Sequence, residues 1–511
     1  MLGLHNPDLA ETPADSFESI EQGYGDLNRT VSHLFETNNP PTEIELSALR
    51  DLVSHGNARK AQLNAAIAAA LQPISSVAEL ITEWDALDEQ LLKCKAALAP
   101  IRSMPTELLS LVFSFALLVP CDTLHADPPL WTLGQVCRRW RTILLSQPIF
   151  WAKVDLDFAL RADETKFRLQ TQLQRSGALP LDIDLLCDDD KSFTAHEQRL
   201  TRILAASSRR WERVSLYGHY SLYDYLDRVR DRLPLLRELH IMLRSPGHGN
   251  YTLNIFQSAP KLRHVFINMG YSTAPLTVIL PFEQLLRFGG SNSWEGHLNT
   301  LGSACNLVDC ALEICSTAAT PASRIVLPHL LRLSLTNSAF LACLETPVLE
   351  DLYCPGPTLA LASFLERLPS KLRKLFMHGS DSVHQSPFDI PPILQAAPTI
   401  SHLGIRILKH AEDLLSDLTR IITSLETITI DLEDCDGFDD AGRYVAMVES
   451  QWRAGRLRTV HICSSDSFFS MPSWERMERL RGEGMEISWY SRTQLLLDLT
   501  PPHLHVLYAK I

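Results

Sequence analysis

The run Leu236-Arg237-Glu238-Leu239-His240-Ile241 sets three apolar residues at spacings of three and then two. Leu239 and Ile241 are separated by one polar residue, the alternation of a half-buried strand. The unit recurs at Trp211/Val214/Leu216, Leu262/Val265/Ile267, Leu285/Phe288, Leu307/Cys310/Leu312 and Leu330/Leu333/Leu335. It continues at Leu349/Leu352, Leu372/Leu375/Met377, Ile400/Leu403/Ile405, Leu425/Ile428/Ile430 and Leu457/Val460/Ile462. From Leu236 onward the steps run from 19 to 32 residues, and Pro234, Pro260, Pro281, Pro328, Pro347, Pro369 and Pro398 stand shortly before units. A strand and its connector cannot bury one apolar face alone, so such units stack into a continuous core. Helical connectors are expected at Ser221–Leu233, Leu359–Leu368, Ala411–Ile422 and Asp440–Arg453.

This pattern resembles the leucine-rich repeat, whose period is about 20–29 residues with a strand at each L-x-x-L-x-L core. The Asn position of the tidy consensus is mostly missing, so the resemblance is to divergent repeats. It implies an α/β solenoid, a horseshoe with a parallel sheet, over residues 175–511. Side chains alternate along a strand, so the residue between the second and third apolar positions should point away from the core. These are His240, Phe266, Ala311, Ser334, Tyr353, Phe376, Thr429 and His461. Large aromatics at exposed positions suit an interface, and His240, Phe266, Tyr353 and Phe376 are the candidate target-binding residues.

Upstream lies Met104-Pro105-Thr106-Glu107-Leu108-Leu109-Ser110-Leu111-Val112-Phe113. Pro105 suits the first position of a helix, and Glu107 suits its first turn. Leu108, Leu109, Val112 and Phe113 recur at helical spacing, with Leu111 on the flank. A later helix carries Val136, Trp140 and Ile143 or Leu144 on one side. The segment closes with Gln147-Pro148-Ile149-Phe150-Trp151. Residues 101–152 resemble an F-box, a three-helix module that docks onto the Skp-type adaptor of a cullin ubiquitin ligase. The run from Trp131 to Trp140 resembles that of the expanded F-box families of mushroom-forming fungi. The resemblance implies adaptor contacts at Pro105, Leu108, Leu109, Val112, Val136, Cys137 and Trp140, with Met104 replacing the usual leucine.

Residues 43–100 read as a helical hairpin. Thr42 is placed to cap its first helix, the run 65–71 is rich in alanine, and Pro73 breaks it. Val77, Leu80, Trp84, Leu87, Leu91, Cys94 and Leu98 then alternate in steps of three and four. An intramolecular hairpin and a dimerising coiled coil both fit that seam. Residues 1–42 are polar and acidic and read as a disordered tail.

The chain has 511 residues, a net charge of −13 and 45% hydrophobic residues. Several domains are expected at that length. The acidic balance argues against nucleic acid as a partner, and no apolar run approaches the ~20 residues that cross a bilayer. With no secretory leader and eleven cysteines lacking a Cys-x-x-Cys pair, reduced thiols in the cytosol or nucleus are expected. No phosphate loop, nucleophile elbow or zinc-protease motif is present. The acidic run Asp431 to Asp440 fails as an EF-hand, since Leu432 and Arg443 would fall at the first and last ligand positions. His503 and His505 lack a third ligand. No metal, cofactor or catalytic residue is therefore expected. The expected role is a non-catalytic, substrate-recruiting subunit of a Skp–cullin–F-box ligase. The alternative is a repeat scaffold unconnected to the ligase.

Overall fold

The computed structural model describes residues 29–69, 74–117, 129–158, 165–187, 194–218, 221–243, 251–268, 276–315, 324–356, 358–368, 372–378, 390–406, 425–431, 439–463 and 471–490. The chain divides into two compact units, Met1–Ala152 with Gln174–Gly177, and Lys153–Leu173 with Ala178–Ile511.

The first unit is helical. Residues 29–36 form α1, where the sequence reading expected a disordered tail. Val31, Leu34 and Phe35 fall on one helical face, and Val31 and Leu34 are sealed against Leu49, Leu52, Cys94 and Ala97. Helices α2 (Glu43–Ala69) and α3 (Ile74–Ala97) form the hairpin. Thr42 begins α2 through a reciprocal cap: its Oγ1 accepts from the Glu45 N–H at 3.4 Å, and its N–H donates to Glu45 Oε2 at 2.6 Å. The seam residues of α3 turn towards α2. The Lys60 ammonium lies 4.0 Å from the Trp84 ring, and the Trp84 indole donates to Asn64 at 2.9 Å.

After the short α4 (Pro100–Ser103), three helices follow: α5 (Thr106–Ala116), α6 (Pro129–Val136) and α7 (Arg138–Ser146). Pro105 stands one residue before α5, and its carbonyl accepts from Leu109 N–H at 3.0 Å. The single later helix expected around Val136 and Trp140 is two helices. Cys137 separates them, extended at φ −158°, and its Sγ caps α7 by accepting from Trp140 N–H at 3.4 Å. A 3-10 turn at Pro148–Trp151 completes the segment.

The second unit is built on a parallel sheet of fourteen described strands. They are β1 (Lys153–Asp157), β2 (Leu181–Leu186), β3 (Trp211–Gly218), β4 (Glu238–Leu243), β5 (His264–Asn268), β6 (Arg287–Asn292) and β7 (Asp309–Ile314). The series continues with β8 (Arg332–Leu335), β9 (Asp351–Pro355), β10 (Lys374–His378), β11 (His402–Arg406), β12 (Thr427–Asp431), β13 (Thr459–Cys463) and β14 (Glu486–Tyr490). Each strand pairs with the next in chain order. The sheet therefore starts at Lys153, earlier than the expected residue 175, and gains β14 at its far end.

The register is that of the sequence units. The second apolar position of every unit lies on one row: Val154, Ile183, Val214, Leu239, Val265, Phe288 and Cys310. The row runs on through Leu333, Leu352, Leu375, Leu403, Ile428, Val460 and Ile487. All are buried. Among the connectors are α8 (Thr165–Arg175), α9 (Ala195–Ala205), α10 (Ser221–Tyr225) and α11 (Trp294–Ser303). The expected helix at Ser221–Leu233 is α10 followed by a 3-10 turn at Asp227–Val229. Helices at Leu359–Arg367 and Asp439–Arg453 match two other expectations. The connector expected at Ala411–Ile422 lies outside the described residues, as do His503, His505 and most of the run after Asp431.

Candidate adaptor-binding and target-binding surfaces

Helix α5 has two apolar faces. Leu109 and Phe113 face inward and join Leu130, Ile143, Leu144, Phe150 and Trp151 in one core. Leu108, Leu111, Val112 and Phe115, spaced i, i+3, i+4 and i+7, form a second stripe in water. Leu108 is 50% exposed, Val112 42% and Phe115 63%, against 0% for Leu109. Val136, at the end of α6, is also exposed. Covering such side chains is worth about 1.5–3 kcal/mol each.

The other residues of the segment serve mostly as internal ties. Trp140 is half-buried and meets Phe113 edge to face at 4.9 Å. The Arg139 guanidinium donates to the Arg102 carbonyl at 2.7 Å and to that of Met104, which fixes the turn into α5. Arg141 Nε donates to the Gly134 carbonyl at 2.8 Å, and the Trp151 indole to the Leu144 carbonyl at 2.8 Å. Arg102 donates to the carbonyls of Leu34 and Thr37, tying α1 in place. These bonds account for Arg139, Arg141 and the closing Trp151 of the segment.

Of the residues expected at the adaptor surface, Pro105, Leu108, Val112 and Val136 are exposed, and Cys137 and Trp140 are half-buried. Leu109 is a core residue. The sequence reading placed both leucines on one stripe, yet the ~100° step between neighbours turns them to different faces. Phe115 was missed, although it lies one helical repeat of seven beyond Leu108.

A family model described as F-box-like matches residues 101–157. This stretch is an F-box-like domain. F-box domains generally bind Skp-type adaptors. A search of curated proteins found no match to the chain. The matched stretch ends on β1, the first strand of the parallel sheet, and no described helix is long and apolar enough to cross a membrane.

The candidate target residues sit on one row of that sheet: His240 beside Phe266, and Tyr353 beside Phe376. The ring pairs lie 6.1 Å apart in both cases. Their exposure departs from expectation. Phe266 is 2% exposed and Tyr353 8%, while His240 and Phe376 are half-buried. The row also contains Gly289, Ala311 and Gly404, and an aromatic ring lies down over a neighbour that has no side chain. A Cβ on Gly404 would stand only 1.8 Å from the Phe376 ring. Parallel sheets are typically covered on both faces. Burial holds the His240 imidazole below its usual value, against the pull of Glu238.

The row beside it on the same face carries charge. It reads Lys153, Asp182, Arg213, Glu238, His264, Arg287, Asp309, Arg332, Asp351 and Lys374. Signs alternate through Glu238 and again from Arg287. Asp309 is buried between two cations: Arg287 Nε stands 3.0 Å from one oxygen, and an Arg332 amino group donates to the same oxygen at 2.6 Å. At the first strands, Asp155 lies beside Asp184. Burial pushes the Asp155 carboxyl up to about 7, opposed by Lys153 and reinforced by Asp184.

One surface went unread in the sequence. A groove of 1140 Å³ opens where the strands begin, lined by Leu280, Pro281, Leu286, Val308, Leu331 and Val348. The second leucines of Leu285-Leu286 and Leu330-Leu331 supply it, and those doublets were its visible trace. Among the described residues no group of three or more His, Cys, Asp or Glu could hold a metal ion.

Proposed function

We propose that the chain is a non-catalytic, substrate-recruiting subunit of a Skp–cullin–F-box ubiquitin ligase, working in the cytosol or nucleus. The carrying observation is the exposed stripe of Leu108, Leu111, Val112 and Phe115 on the F-box-like domain. The stripe would be covered by the Skp-type adaptor, and through it the chain would reach the cullin. The parallel sheet, as a divergent leucine-rich-repeat solenoid, would hold the target, with His240 and Phe376 as the reachable members of the aromatic row. Tethering would raise the target's effective concentration near a ubiquitin-loaded enzyme bound elsewhere in the ligase.

The test is capture of a Skp-type adaptor by the full-length chain and by a Leu108→Asp, Val112→Asp double variant. Two carboxylates buried without partners in an interface should cost roughly 2 kcal/mol or more, enough to lose the adaptor. Both positions are exposed, so the variant should keep the parent's circular dichroism. Equal capture by the two folded proteins would leave a repeat scaffold unconnected to the ligase.

A further inference from the structure

The residues just before β5 to β9 form one hydrogen-bonded row. Leu286 N–H donates to the Arg263 carbonyl at 2.9 Å, Val308 N–H to that of Leu286 at 2.8 Å, Leu331 N–H to that of Val308 at 2.9 Å and Glu350 N–H to that of Leu331 at 2.9 Å. On either side of this stretch the side chains are charged and paired: Arg237 with Glu212 at 3.4 Å, and Arg373 with Glu350 at 3.7 Å. Between those pairs the row turns apolar for three successive strands, at Leu286, Val308 and Leu331. Leu286 and Leu331 are exposed and Val308 is half-buried. With exposed Val348 they line the 1140 Å³ groove. Apolar side chains scattered singly in water are ordinary, but contiguous ones mark an interaction site.

Arg263 stands at one end of that run. It lines the same groove and is half-buried. Its Nη1 donates to the carbonyls of Leu262 at 3.0 Å and Pro260 at 3.4 Å, which holds the guanidinium in place. Among the described residues Arg263 makes no ion pair, and its Nε and Nη2 donate to no other group. That edge of a guanidinium suits a carboxylate held by two parallel bonds. Glu283, the one carboxylate lining the groove among the described residues, is exposed. A solvated rim charge of that kind adds little to affinity, so the held cation sets the charge that a partner must bring.

Spacing sets the form of the occupant. The strands of Leu286, Val308 and Leu331 lie roughly 4.8, 9.6 and 14.4 Å from that of Arg263. A helix laid across them, with leucines four, seven and eleven residues after an acidic one, places those leucines roughly 6, 10.5 and 16.5 Å along its axis. An extended segment returns a side chain to one face only every ~6.6 Å and is out of step by the third contact, at roughly 20 Å. We propose that this groove docks an amphipathic helix of a partner protein, its acidic residue on Arg263 and its apolar residues on Leu286, Val308 and Leu331. The site contains no residue of the α5 stripe or of the aromatic row, so it stands or falls apart from the ligase reading.

The experiment uses the full-length chain and a capped, fluorescein-labelled peptide of alanine and glutamine, about 16 residues long so that it can form a helix in water. The peptide carries one glutamate near its start and leucines four, seven and eleven residues further on. Fluorescence anisotropy reads the affinity. The peptide should bind saturably, and its glutamate-to-glutamine analogue roughly tenfold more weakly, the ratio that one charge-assisted contact supplies. In Arg263→Gln that preference should vanish while the analogue binds as before. A Leu286→Gln, Leu331→Gln double variant should weaken both peptides at least roughly tenfold. Both positions are exposed, so its circular dichroism should match the parent's. A peptide with two prolines between the leucines, unable to form a helix, should not bind. No binding to the parent, equal binding of the glutamate and glutamine peptides, or an unchanged preference in Arg263→Gln would overturn the proposal. So would unimpaired binding in the double variant or full binding of the proline peptide. A dimer in analytical ultracentrifugation that the double variant abolishes would also overturn it, since a second copy of the chain would then fill the groove.

Discussion

Leu109 loses all its exposure among Phe113, Leu130 and Leu144, while Leu108 stays half in water. Truncating the first empties a packed site; truncating the second removes a side chain that packs on little. Leu109→Ala should cost about 2–5 kcal/mol of stability, and Leu108→Ala no more than about 0.5 kcal/mol. Urea unfolding of the two variants checks this. His297 gives a second residue-level expectation. Burial pushes its imidazole down to about 4 from 6.5, only partly offset by the Glu313 carbonyl. Above pH 6.5 neither folded nor unfolded chain holds the proton, and the full stability is present. As pH falls from 6.5 towards 4, the unfolded chain takes up a proton that the folded chain refuses. Stability should then drop by up to roughly 3 kcal/mol. His297→Phe should flatten that part of the melting temperature against pH profile, and an unaltered slope would contradict the assignment.

At the scale of elements, the strands are held in step by both grease and charge. The buried row from Val154 to Ile487 would be moved to the wrong face by a slip of one residue. The charged row opposes the same slip on the other face. Asp309→Asn would break contacts to Arg287 and Arg332, which are partly exposed and would remain solvated. The loss should be about 1–3 kcal/mol, read as a lower melting temperature with the same circular dichroism. Much of this was legible beforehand. The spacing Leu239/Ile241 and its recurrences named the strands, because a period of two is set by backbone geometry alone. Strand β2 escaped notice because Pro180 stands where the unit has its leading apolar residue, while β1 has the unit's spacing at Trp151/Val154/Leu156 and went unread because Trp151 closes the preceding segment. Helix α1 escaped because an acidic leader masked Val31, Leu34 and Phe35. The sinking of Phe266 and Tyr353 depends on which residues stand next to them on neighbouring strands, and register is a property of pairs of segments, invisible in either one. The two-faced α5 was half read: its residues were right, and the division between faces needed the positions of α6 and α7.

At the scale of the whole molecule, every strand of the fourteen-stranded sheet pairs only with the strands before and after it in that sheet. Among the described residues, interior strands have two partners and β1 and β14 have one. Opening should therefore begin at the ends. Hydrogen exchange read by mass spectrometry should show the slowest amides in β7 to β9 and progressively faster ones outward; uniform protection from β1 to β14 would contradict a sheet stabilised by nearest neighbours. The alternating row has a further consequence for how such a chain can change its length. Excising the segment that contributes Asp309 would seat Arg287 directly against Arg332, and like charges face to face repel. Excising that segment together with the one contributing Arg332 would instead bring Arg287 against Asp351, and the pattern would heal. Gene duplications and deletions within this stretch should accordingly survive in even numbers of units, so that lineages differ by two strands where they differ at all.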